Sequence, residues 1–297
     1  MRKFGAAERR IAGLLQKGQT FSLGGHEYEI VISGKPTCRD GEPKTDIFVG
    51  AVSRSGGLCE LKISFKKKNA DFLENKTTAE RAERLFGDNW ERLVTGSTLS
   101  IRESFFRRPL IYKESFGRTE KGSITLGWKF EILNKPGGDL SGPIDLSRQQ
   151  VIDVYAGTSL PEDKRNASVC GQIIEDSGVA NCILFNGDFA SVQEIIDELI
   201  PIVEYVEEYP EVYFACKALN YRTFKGKYDG NRPLAVFVHW RVQDGRLVPE
   251  LVFNRPLLVR GDEVADNLRR CLSTLDIEDT DGITPENVRY PQMVFGL

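Results

Sequence analysis

Apolar and charged positions alternate most strictly between Leu58 and Lys66. There Cys59, Leu61, Ile63 and Phe65 fall on one face of an extended chain and Glu60, Lys62, Ser64 and Lys66 on the other. A second apolar run covers residues 45–52, and the Ser-Arg-Ser-Gly-Gly stretch between the two predicts an antiparallel hairpin. Upstream, Ala7, Ile11, Leu14 and Leu15 form a helical stripe that Gly18 ends, and residues 26–33 have strand character. Downstream, the pattern predicts a helix over 69–87, a strand over 123–133 and a breaker-rich connection over 135–143. The second half predicts a helix over 145–157 and strands over 170–175 and 179–185. A helix over 192–208 follows, opened by a Ser191/Glu194 capping box and kinked at Pro201. A hairpin over 233–240 and 246–253 and a short helix after Thr284-Pro285 complete the pattern.

Strands and helices in this mixture place the chain in an α/β (mixed α+β) class. At 297 residues, with 40% hydrophobic and 28% charged positions, it can bury a large core in one domain or two. The sequence has no apolar run near 18 residues and no signal-peptide pattern, so the expectation is a cytoplasmic protein with no membrane partner. Six cysteines without a CxxC pair, and only two histidines, argue against structural zinc. Walker A, GxGxxG and GxSxG patterns are absent, so no nucleotide cofactor is expected. The acidic run over 276–286 does not fit an EF-hand, because Ile277 and Val288 would stand at ligand positions.

Charge is where the hairpin departs from an ordinary core element. Asp46 stands directly before an apolar strand, and a hairpin folding back near Ser53 would set it opposite Glu60, with Lys62 one step further on the same face. A turn centred on Gly56 would carry Asp46 past Glu60. The Ser53 register requires a wide or bulged turn over 50–57, for which Gly50, Gly56 and Gly57 supply the freedom. Two converging carboxylates repel, and a Mg²⁺ ion would relieve the conflict while polarising a phosphodiester. The lysine would stabilise the attacking hydroxide and the developing phosphoryl charge. Glu-x-Lys occurs four times in the chain, but only Glu60/Lys62 lies in an alternating strand with an aspartate fourteen residues upstream. The alternative is a solvent-exposed sheet face carrying ordinary ion pairs.

Asp46, Glu60 and Lys62, in a helix, three-strand, helix order, resemble the PD-(D/E)XK restriction-endonuclease-like nuclease superfamily. The resemblance spans roughly residues 5–90 plus one later strand, and the proline stands three residues before the aspartate. It implies an αβββαβ core with a mixed central sheet, in which residues 123–133 would be the fourth strand. It also implies a Mg²⁺-dependent endodeoxyribonuclease (Mn²⁺ as a possible substitute) of type II restriction or phage character, acting on double-stranded DNA as a homodimer. Glu8 is the candidate for a third metal ligand beside Asp46 and Glu60.

Charge distribution fits that expectation. Residues 1–135 carry 25 Lys+Arg against 17 Asp+Glu, while residues 136–297 carry 15 against 26. A basic first half suits a polyanionic partner. The expected division is a basic nuclease-like core over 1–135 and an α+β half over 136–297, completing the sheet or forming a recognition or dimerisation subdomain. Candidate DNA contacts are Lys66, Lys67, Lys68 and Asn69, then Asn75 and Lys76, then Arg107 and Arg108 among interleaved aromatics. Arg222, Lys225 and Lys227 add a second basic loop. A non-catalytic nucleic-acid-binding or structural protein is the competing class.

Overall fold

The computed structural model describes residues 4–39, 41–66, 72–74, 77–185 and 188–297. The chain is mixed α+β and forms two compact units, each visited twice: Met1–Ala70 with Leu146–Pro210, and Asp71–Asp145 with Glu211–Leu297. The first pass contains α1 (Phe4–Leu14), β1 (Thr20–Leu23), β2 (His26–Gly34), β3 (Ile47–Ser53) and β4 (Leu58–Lys66). The second contains β5 (Phe72–Glu74), α2 (Ala79–Phe86), α3 (Trp90–Ser100), α4 (Arg102–Phe106), β6 (Ile111–Tyr112), β7 (Ser123–Leu133) and β8 (Ser141–Ile144). The third contains α5 (Arg148–Ala156), α6 (Glu162–Arg165), β9 (Ser168–Val169), β10 (Gln172–Ile173), β11 (Cys182–Phe185), α7 (Val192–Asp197), β12 (Ile200–Pro201) and α8 (Ile202–Glu208). The last contains β13 (Val212–Arg222), β14 (Lys227–Tyr228), β15 (Pro233–Leu234), β16 (Val236–Gln243), β17 (Arg246–Val252), β18 (Val259–Arg260), α9 (Gly261–Thr274) and β19 (Val294–Phe295).

Among the described residues the first unit is built on a six-stranded mixed sheet in the order β1-β2-β3-β4-β11-β12. Its inner strands follow the predicted alternation. Ile47, Val49 and Ala51 of β3, with Leu61, Ile63 and Phe65 of β4, face one core together with Ile11 of α1, Leu15 just after it, and Ile195 and Ile196 of α7. On the opposite face Phe185 of β11 packs on Tyr205 of α8 at 5.4 Å, and Tyr205 packs edge-on against Tyr155 of α5 at 5.3 Å. Helices therefore cover both faces, which explains why β3 is almost wholly buried.

β4 pairs in parallel with β11, through Ile63–Cys182 to Lys66–Phe185. A parallel neighbour needs a long crossover. Here the connection contains the whole Asp71–Asp145 pass through the other unit before α5 returns to this one. This corrects two expectations. The fourth strand beside β4 is β11 and not residues 123–133, and the units do not divide at residue 135. The cause is that β7 is enclosed on both faces, with ten of its eleven residues buried, Ser123, Thr125 and Glu131 among them. It therefore pairs along its full length with β13, and also with β5, β6 and β16, at the centre of the other unit's nine-stranded sheet.

Three further differences are local. The helix expected from residue 69 starts at Ala79, where the Thr78 hydroxyl caps the Arg81 amide, and β5 precedes it. Pro201 separates two helices by a short strand, β12, instead of kinking one. Residues 284–287 form no helix, because the Thr284 amide is bonded by the Asn287 side chain in a turn.

The burial of Ile63, fully enclosed between β3 and β11, generates a stability test. Ile63→Ala should cost about 2–5 kcal/mol in urea denaturation. Leu58→Ala at the 83%-exposed hairpin end should change stability by no more than ~0.5 kcal/mol. Equal small effects at both positions would contradict this packing.

Candidate active site

The hairpin register decides which charges meet. Ile47 pairs with Ile63, Phe48 with Lys62 and Gly50 with Glu60. The strands are closed by a turn in which the Ser53 amide donates to the Gly57 carbonyl and Gly56 adopts φ 83°. The fold-back therefore lies near Ser55. Gly50 is outside the turn, within β3, where an added Cβ would stand 2.8 Å from Ile32. One step beyond Ile47–Ile63, Asp46 stands across from Ser64. Glu60 is four residues further along β4, about 13 Å at 3.3 Å per residue. The expected convergence of Asp46 with Glu60 and Lys62 does not occur.

Glu60 and Lys62 instead pair with each other at 3.6 Å. The Asn181 side chain runs alongside them, accepting from the Lys62 amide at 2.8 Å and donating to the Glu60 carbonyl at 2.9 Å. It extends the β4 ladder past the start of β11, and this half of the charged row is structural.

A different group gathers around Asp46. Its Oδ2 accepts the Phe65 amide at 2.8 Å where the two strands part. Burial pushes the Asp46 carboxyl up to about 6. Lys66 and the Phe65 amide oppose that shift, Glu8 adds to it, and Lys35 lowers it again. Glu8, on α1 and largely shielded, lies 3.8 Å from the Lys35 ammonium, which is also 3.8 Å from Glu42. Thr45 and Ser64, either side of this carboxylate, are buried, and their hydroxyls have no hydrogen-bond partner among the described residues. A bound water or ligand oxygen would meet that need. The backbone leading to Asp46 is fixed by the Gly178 carbonyl, which accepts the amides of Lys44 and Thr45. Gly178 has no room for a side chain, since a Cβ would fall 1.8 Å from the Lys164 carbonyl.

Lys35 and Ser64 were not among the expected site residues. Lys35 follows the last residue of β2, Gly34, which pairs with Phe48. A strand ending there necessarily delivers its next residue beside the start of β3, so the antiparallel order itself contained the signal.

Of the expected DNA contacts, Lys66 is the last residue of β4, while Lys67, Lys68, Asn69, Asn75 and Lys76 lie outside the described residues. In the second unit, Arg107 is exposed at the end of α4 and Arg108 pairs with Asp139 at 2.9 Å. Arg222 and Lys225 both reach Glu120 at 2.6 Å, and Arg222 also reaches Asp229 at 2.8 Å. These ion pairs hold one loop against another, leaving exposed Lys227 as the member of that trio with no ion pair among the described residues. No helix among the described residues is long and apolar enough to cross a membrane. Comparison with family models, curated proteins and solved structures returns no match.

A raised carboxyl pKa makes stability depend on pH in a definite direction. Folded Asp46 holds its proton up to about pH 6, whereas the unfolded chain releases it near pH 4. Its stabilising contribution is therefore complete below pH 4 and lost as pH rises through 6. The stability of the wild type relative to Asp46→Asn should fall by on the order of 1–3 kcal/mol between pH 4 and 7. Parallel pH curves from urea denaturation would refute the buried carboxyl.

Proposed function

We propose that the chain is a Mg²⁺-dependent endodeoxyribonuclease whose centre is Asp46 with Glu8 and Lys66, not Asp46 with Glu60 and Lys62. The observation that carries this reading is a half-buried carboxyl raised to about 6 beside a second carboxylate and two lysines. Ser64-Phe65-Lys66 then stands in the register position that the resemblance assigns to Glu-x-Lys, with the acid replaced by a hydroxyl. The second carboxylate comes from α1. The mixed sheet with antiparallel β2-β3-β4 and a parallel β11 supports the nuclease-like core, as does the basic character of residues 1–135.

The residues suit a sparsely held Mg²⁺. Among the described residues there is no cluster of three or more His, Cys, Asp or Glu, so no all-protein cage exists. Mg²⁺ commonly takes one or two carboxylates and completes its shell with water and phosphate. Asp46 and Glu8 would hold it, and Mn²⁺ would bind alike. When bound, the ion supplies charge neutralisation for the phosphoryl oxygens and a more acidic water. The chain's own residues do the rest. Asp46, fixed by the Phe65 amide, would orient the water oxygen that attacks phosphorus as the P–O3′ bond breaks. Lys66 would meet the charge accumulating on the phosphoryl oxygens. Lys35, 3.8 Å from Glu8, would position that carboxylate at the rim. Double-stranded DNA is the proposed substrate, in the manner of a type II restriction or phage enzyme acting as a homodimer in the cytoplasm.

A non-catalytic nucleic-acid-binding role is the second reading. It is favoured by the same absence of a three-ligand cluster and by the bond that already occupies Asp46 Oδ2.

Supercoiled plasmid incubated with the protein separates the two. Cleavage should require Mg²⁺ or Mn²⁺. Asp46→Asn and Lys66→Ala should each lower it by at least roughly a hundredfold, while Glu60→Gln should retain it. Loss in Glu60→Gln with retention in Lys66→Ala would restore the original triad. A wild type that binds DNA but cuts with neither metal would establish the non-catalytic reading.

A further inference from the structure

A cleft in the second unit takes no part in the Asp46 centre. Bounded by α4, the β16–β17 hairpin and residues 290–293, it has a volume of about 680 Å³, within the size range of small-molecule sites. Its composition is unusual for open surface. Phe106 and Tyr290 leave 40% and 39% of their surface exposed, and the Arg102 guanidinium stands 5.2 Å from the centre of the Phe106 ring. Arg241 enters from β16 and pairs with Glu250 at 3.3 Å, with both side chains about half exposed. Leu110 and Met293 supply an apolar floor.

Two guanidiniums against one carboxylate leave the cleft cationic, and its exposed rings offer flat apolar faces. A ligand satisfying both must be planar, aromatic and anionic. A nucleobase stacks on phenyl, phenol or guanidinium planes, and its phosphate pairs with the guanidinium fork. A phosphosugar would leave the rings uncovered, and an uncharged aromatic would leave the arginines unmatched. We propose that this cleft binds an unpaired nucleotide, its base stacked against Phe106 or Tyr290 and its phosphate held by Arg102 and Arg241. That nucleotide belongs either to a free mononucleotide or to a single-stranded segment of nucleic acid. The mixture of arginines and aromatics after residue 100 in the sequence finds its use here, in a site separate from phosphodiester cleavage.

The test is binding in EDTA, where the Asp46 chemistry is silent, so a failed nuclease assay and a failed binding assay are separate results. A labelled oligo(dA), the same oligonucleotide made abasic, and adenosine monophosphate are titrated against the full chain. Wild type should bind oligo(dA) more tightly than the abasic strand. The Phe106→Ala/Tyr290→Ala double variant, with an unchanged circular dichroism spectrum, should lose roughly 5- to 150-fold, the factor for one lost base stack. Phe106→Tyr should retain wild-type affinity. Arg241→Gln should make the slope of log K against log salt shallower by about 0.7, the contribution of one single-strand phosphate. Competition by adenosine monophosphate would identify the free nucleotide as the ligand, and binding confined to the strand would identify the single-stranded segment. The inference is overturned if wild type binds neither, if the double variant binds oligo(dA) as wild type does, or if it loses the same factor on the abasic strand.

Discussion

The pairing of Ile47 with Ile63 is the constraint on which the first unit depends. Side chains alternate across a strand with period two, so the register that buries Ile47, Val49, Ala51, Leu61, Ile63 and Phe65 in one core also fixes which polar residues share the other face. A slip of one residue would drive the charged row into the core. Even slips keep the faces correct, and it is the turn over Ser53–Gly57 that selects among them. That selection moves the partner of Asp46 from Glu60 to Ser64, a shift of four residues along β4. The chemistry expected of the hairpin is decided by a turn that carries none of it.

The same register explains the division of labour within the charged row. Toward the hairpin end, Glu60 and Lys62 neutralise each other and are tied into the sheet by Asn181. Toward the open end, Asp46 is desolvated, faces a second carboxylate on α1, and is balanced by Lys35 and Lys66. A carboxylate in that setting is costly unless something neutralises it, either a proton or a cation. Among the described residues, the buried hydroxyls of Thr45 and Ser64, at the same end of the strands, also lack hydrogen-bond partners. Unfavourable desolvation concentrated at one point, in a unit otherwise well packed, is the pattern expected of a functional centre.

Much of the first unit was legible in the sequence. The amphipathic helix at Phe4–Leu14, the strand at His26–Gly34, the hairpin and its core face all follow from periodicity, whereas the burial of the other face of β3 does not. Asp46 was legible as an isolated carboxylate before an apolar strand, and Glu8 as a partner on the first helix. Register was not, since Gly56 and Gly57 allow several turn geometries and periodicity is blind to even shifts. Nor was the identity of the strand beside β4. β7 alternates apolar and polar residues and β11 is apolar throughout, and neither pattern says which sheet takes the strand. The alternation of the chain between two units rests on contacts between residues more than a hundred positions apart, as in the pairing of Lys66 with Phe185, which no local pattern encodes.

The central claim is that Asp46 shares its electrostatic environment with Glu8 and Lys66 and not with Glu60. Carboxyl ¹³C NMR titration of Asp46 tests this most directly, in the metal-free wild type, in Glu8→Gln and in Glu60→Gln. The account predicts an apparent pKa of about 6 in the wild type, a lower value in Glu8→Gln, and an unchanged one in Glu60→Gln. A wild-type value near the ordinary 3.9 of an aspartate, or a shift in Glu60→Gln with none in Glu8→Gln, would contradict it.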